Sequence, residues 1–152
     1  MRFLEDLPLG VAFACGRFRL SRTEIVAFAD RYDPQPFHLD EAAARESYFG
    51  ALCASGLHTQ GMAIALMVRA IADVAVVAGY SLHEARFLAP VWPDVEYGVA
   101  ARWTAVSPSP RDASRGRAMI ALDVGQVGEG QNVAVLGVTY VVARRASQGG
   151  KA

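Results

Sequence analysis

Asp33 and His38 are the residues of this chain best suited to chemistry. They flank the segment Asp33-Pro34-Gln35-Pro36-Phe37-His38. Each proline fixes its own φ, so the segment is stiff. Two groups that act on one water must be held in place. A carboxylate and an imidazole form a suitable pair for moving protons near neutral pH. The same spacing also fits a loop carboxylate that caps a turn beside a histidine packed on Phe37. The pair alone does not separate these readings.

A second element is Ala54-Ser55-Gly56-Leu57-His58, at the entry to an apolar run. A helix start presents amides without partners and a positive potential. Gly56 lets a ligand oxygen approach the backbone. An oxyanion developing on a thioester carbonyl would be stabilised there. The plainer alternative makes Ser55 an N-cap and Gly56 a loop residue. His58, two residues inside the helix, either lines a pocket or packs at the helix start. His38, His58 and Asp33 have no dedicated metal-ligand spacing, so no metal is expected. Cys15 and Cys53 form neither a metal pattern nor a disulfide framework and read as reduced core thiols. His83 falls on a strand and reads as structural.

The elements that position these groups follow from the hydrophobic pattern. A first strand is expected over 11–20. Ser21-Arg22-Thr23-Glu24 forms a capping box, and a helix follows through about Tyr32. Ile25, Val26, Phe28 and Ala29 supply its buried stripe. Pro34 ends that helix and biases Asp33 toward extended geometry. Asp40 caps a short helix over 41–46. A long helix is expected from Gly56 to Ala78, capped by Gly79, with Arg69 and Asp73 as its polar stripe. Beyond Gly79 the period changes to two. Strands are expected over 81–89, 94–106, 116–127 and 132–143, with a hairpin turn at Gly128-Glu129-Gly130. The last strand is apolar on both faces, which suggests a central position or cover by another subunit. The 107–114 segment reads as an exposed loop. The order implies an α+β hotdog arrangement, an antiparallel sheet wrapped around one long central helix.

The segment Phe28–Asp40, followed by Ser55-Gly56-Leu57-His58-Thr59, resembles the MaoC-like dehydratase family, which includes the (R)-specific enoyl-CoA hydratases. Arg86-Phe87-Leu88-Ala89-Pro90-Val91 resembles the family's next strand. The resemblance spans about residues 5–143. It implies a catalytic pair at Asp33 and His38, and an oxyanion-hole amide at Gly56, with Ser55 and Leu57 beside it as oxyanion-hole or substrate-binding residues. Phe37 and His58 are candidate pocket residues. The implied substrate is an acyl-CoA or acyl-carrier thioester. Coenzyme A enters as part of that substrate, and no separate cofactor is implied. The chain departs from the family pattern at several positions. Gln35 replaces an asparagine, Phe37 an aliphatic residue, and Ser55 the histidine found in the short-chain (R)-hydratase branch. Arg86, Arg102, Arg111, Arg115 and Arg117 are candidate partners for coenzyme A phosphates. A hotdog thioesterase and a non-catalytic acyl-thioester-binding subunit remain as alternatives.

Composition bounds these readings. The chain has 152 residues, 53% apolar and 20% charged, with fifteen basic side chains balancing fifteen acidic ones. Ordinary domains run at about 45–50% apolar and about 25% charged. Zero net charge disfavours nucleic acid as a partner, and the apolar content excludes disorder. The apolar excess points to a subunit interface, in a homodimer or a higher oligomer. Glu5 and Asp6 break any secretory leader, and charges interrupt the longest apolar run. The expectation is a cytoplasmic protein with no membrane span. One domain over 1–145 is expected, with a Gly- and Ser-rich tail over 146–152.

Overall fold

The computed structural model describes residues 1–145. The expected tail over 146–152 lies outside the described residues. A single turn of 3-10 helix at Leu4–Asp6 precedes strand β1 (Phe13–Arg19). Helices α1 (Arg22–Tyr32), α2 (Pro36–Leu39), α3 (Glu41–Arg45) and α4 (Gly56–Ala70) follow. Four strands close the chain: β2 (Val76–Phe87), β3 (Glu96–Pro108), β4 (Arg115–Gln126) and β5 (Asn132–Ala143). Together with β1 they form one five-stranded antiparallel sheet in the order β1-β3-β4-β5-β2. The sheet packs against α4, as the α+β reading expected.

Alternation decides which face of the sheet is dry. Tyr97, Val99, Ala101 and Trp103 of β3 are buried, and so are Ala118, Ile120, Leu122 and Val124 of β4. Side chains two apart share a face, so both strands present one apolar face to α4. The opposite helix surface supplies Ala63 and Met67, both fully buried. β5 lies between β4 and β2 and is buried along most of its length. Its two-sided apolar pattern therefore marked an interior strand.

The helix entry points were legible locally. Ser21 accepts from the Glu24 amide at 3.1 Å, and the Glu24 carboxylate accepts from the Ser21 amide at 2.8 Å. Asp40 accepts from the Ala43 amide at 2.8 Å, which starts α3. Arg22 forms an ion pair with Glu41 and ties α1 to α3.

The long helix differs from its expected extent. It ends at Ala70, not Ala78. The Ile71 amide donates to the carbonyls of Met67 and Arg69 and closes the last turn. Arg2 then takes Asp73 away from the helix. Its guanidinium pairs with the Asp73 carboxylate at 2.7 Å, and its backbone bonds to Asp73 and Ala75. Val76 enters β2 opposite Val142 of β5. Valine loses χ1 freedom in a helix and fits a pleated strand. Gly79 consequently lies in a strand opposite Tyr140 rather than capping a helix. Arg69 and Asp73 share no helical stripe. β2 starts at Val76, ahead of the expected 81, and its register against β5 shifts three times. No helix among the described residues is long and apolar enough to cross a membrane.

Candidate active site

The candidate pair is held by the end of α1 and by the short helix α2 that follows it. Asp33 is the C-terminal cap of α1, with its amide donating to the Ala29 carbonyl. Pro34 stops further helix. Pro36 then opens α2 at the first helical position, where its missing N–H costs nothing. His38 sits two residues further along in the same turn, 6% exposed. The Pro-x-Pro spacing thus ends one helix and starts the next within a few residues.

The structure brings His38 Nε2 to 3.6 Å from Asp33 Oδ2. The other ring nitrogen, Nδ1, lies 2.7 Å from the Cys53 carbonyl oxygen. A carbonyl only accepts, so Nδ1 carries the hydrogen. In the neutral ring, Nε2 then presents its lone pair toward the carboxylate. Two lone-pair atoms facing each other require a shared proton, or a water that donates to both. The pair is therefore suited to taking a proton from water.

Ser55 lies between this pair and the helix start. Its hydroxyl donates to Asp33 Oδ2 at 2.6 Å and accepts from the Leu57 amide at 3.1 Å. Its carbonyl accepts from the amides of His58 and Thr59. Among the described residues the Gly56 amide has no hydrogen-bond partner. Gly56 also has no room for a side chain. A Cβ there would stand 2.6 Å from the Phe87 ring.

His38 and Gly56 both line a cavity of about 480 Å³. Tyr48, Phe49, Phe87 and Leu88 supply much of its apolar wall, with Cys53 and Thr59 also lining it. Neither Asp33 nor Ser55 is among the lining residues, and Asp33 meets the cavity through His38. Burial pushes the Cys53 thiol up to about 11, so it stays protonated at neutral pH. A thiolate nucleophile is thereby disfavoured.

The remaining sequence candidates fall elsewhere. Phe37 packs edge-on against His38, with ring centroids 4.6 Å apart, and touches Phe49. His58 is buried and stacked on Phe28 at 4.3 Å, away from the cavity lining. Leu57 gives its amide to Ser55 and leaves its side chain half exposed. Arg102 and Arg115 are engaged with Asp123 and Asp112, and Arg117 stacks on Tyr80. Sequence reasoning missed the Cys53 carbonyl, the Ser55 bond to Asp33, and Tyr48 as a wall residue. Backbone carbonyls leave no trace in residue type. Ser55 could have been found, because a serine N-cap has a spare hydroxyl hydrogen.

The description "MaoC like domain" matches residues 14–111. A MaoC-like dehydratase from Rhodospirillum rubrum is 36% identical, with a TM-score of 0.86 over 96% of this chain and 99% of that one. The chain belongs to the MaoC-like domain family. The R-hydratase PhaJ1 from Pseudomonas aeruginosa shares the hotdog fold, with a TM-score of 0.65 and 21% identity over 95% of this chain and 86% of that one. The uncharacterized protein YdeM of Bacillus subtilis is 30% identical over 94 residues, 61% of this chain and 67% of that protein.

Proposed function

We propose that this protein is an enoyl-thioester hydratase or dehydratase, which adds or removes water across the 2,3 double bond of an acyl-CoA or acyl-carrier thioester. One observation carries the reading. His38, with its Nε2 3.6 Å from Asp33 Oδ2, lines the same cavity as Gly56, whose amide has no hydrogen-bond partner among the described residues. One water held by Asp33 and His38 attacks the β-carbon. The displaced proton is delivered to the α-carbon from the same face. The thioester oxygen accepts from the Gly56 amide as enolate charge builds, in the site where a fixed donor is worth most. The apolar wall of Tyr48, Phe49, Phe87 and Leu88 receives the acyl chain. Asp33 and His38 act as one coupled unit, so proton ownership belongs to the pair.

The working assembly in this reading is a homodimer joined through β2. That strand is a sheet edge, and Val77, Tyr80, Leu82 and Phe87 on it are each about half exposed.

The test is a panel of enoyl-CoA substrates followed by loss of enoyl-thioester absorbance, with product chirality measured. The expected product is the (R)-3-hydroxyacyl thioester. Asp33→Asn and His38→Ala are expected to lower kcat/KM by about a hundredfold or more, the usual worth of acid–base catalysis. Release of free thiol with the double bond untouched would replace this reading with a thioesterase. Wild-type turnover in folded variants would remove Asp33 and His38 from the chemistry.

A further inference from the structure

We propose that Ser55 is a positioning residue for the Asp33/His38 pair, fixing the carboxylate through its hydroxyl; this rests on the hydratase reading. Ser55 was expected to cap the helix or to touch substrate. It does cap the helix, by accepting from the Leu57 amide, and its hydroxyl hydrogen has a further target.

A serine hydroxyl has one hydrogen to donate and lone pairs to accept with. Here the Leu57 amide occupies a lone pair at 3.1 Å, and the hydrogen goes to Asp33 Oδ2 at 2.6 Å. The capping bond therefore orients the hydroxyl, and the oriented hydroxyl holds the carboxylate. Bonds chained in this way strengthen one another. Ser55 is only 1% exposed, so solvent does not readily replace the donor. The Asp33 side chain is 25% exposed, so without that donor it is free to turn toward water.

The oxygen that Ser55 holds is the one facing His38 Nε2. His38 is anchored from its other side by the Cys53 carbonyl. Both members of the pair are thus fixed by the stretch Cys53-Ala54-Ser55. The next residue offers the Gly56 amide. The Ala54 amide donates to the Val91 carbonyl at 2.9 Å, which ties the stretch to the segment after β2. Acid–base pair and oxyanion donor are set by four consecutive residues, with Ser55 as the link. A misplacement of about 1 Å at such a centre costs on the order of a hundredfold.

The experiment compares Ser55→Ala and Ser55→Thr, alone and combined with Asp33→Asn. Ser55→Ala is expected to lower kcat about ten- to a hundredfold with KM nearly unchanged. Ser55→Thr, which keeps the hydroxyl, is expected to restore most of the rate. In the Asp33→Asn background Ser55→Ala is expected to have no further effect, because the group it positions is gone. A helix-capping role alone would slow both backgrounds equally, and that result overturns the proposal. So does a Ser55→Ala enzyme with wild-type kcat. Crystal structures of wild type and Ser55→Ala give a readout independent of activity. The Asp33 carboxylate is expected to turn away from His38 in the variant, and an unmoved carboxylate overturns the proposal. An inactive wild type would remove the hydratase reading while the crystallographic comparison still decides Ser55.

Discussion

His38 and His58 are both buried, yet only His38 has a partner for each ring nitrogen. His38 has the Cys53 carbonyl on one side and Asp33 on the other. His58 stacks on Phe28, and its Nδ1 is buried without a hydrogen-bond partner. Burial lowers the pKa of His58 from its ordinary value of 6.5, against a smaller opposing pull from Glu24. The sign for stability follows. Below 6.5 the unfolded chain takes up a proton that the folded chain refuses. Stability is therefore full above 6.5 and falls as pH drops toward the folded value. His58→Phe preserves the ring stack and removes the proton. It is expected to reduce the stability lost between pH 7.5 and 5.5, measured as urea midpoints at both values. An equal loss in variant and wild type would place the acid sensitivity elsewhere.

At the scale of elements, what the sequence revealed depended on whether the deciding contact was local. The capping residues Ser21 and Asp40 act within their own turn, and both starts were legible. The alternation in β3 and β4 reports one dry face and was equally legible. The end of α4 was not, because Arg2 decides it from the far end of the chain. The apolar run through Val74, Val76 and Val77 suits a buried helix or a strand, and only β5 resolves it. In the candidate site, type and spacing singled out Asp33, His38 and Gly56, and only the family resemblance favoured a catalytic reading of them. The Phe87 ring over Gly56 was not legible, since β2 and α4 meet only in the fold. Their contact yields a prediction. Gly56→Ala must displace the Phe87 ring, whereas its helix preference is favourable, by up to about 1 kcal/mol. The variant is expected to stay folded and to lose about tenfold in kcat/KM, as the ring moves within the cavity. Phe87→Ala added to it should recover part of that loss. A double-mutant cycle measures the coupling, and purely additive effects would separate ring from glycine.

For the whole molecule, the two sheet edges differ in how they face water. β1 carries Arg17 and Arg19 and has a register break between Ala14 and Gly16. Charges and bulges of this kind protect an edge from pairing. β2 is the other edge, and its Val76–Leu82 stretch has neither charge nor proline. Val77 is 53% exposed and Leu82 45%. Its twelve residues extend about 40 Å, long enough for a substantial interface. In the proposed dimer a second copy of the same edge covers these apolar side chains. Zero net charge adds no long-range repulsion between copies. Val77→Lys and Leu82→Lys place like charges where the copies would meet. Each residue is about half exposed within one chain, so each change should cost the isolated fold only about 0.5 kcal/mol. The doubly substituted protein is expected to sediment as a folded monomer, and the wild type as a dimer. Enoyl-CoA turnover is expected to fall with the dimer, because Phe87 and Leu88, at the end of the same edge, line the candidate cavity. A wild type that sediments as a monomer would remove this interface. A fully active monomeric variant would show that one chain completes the site alone.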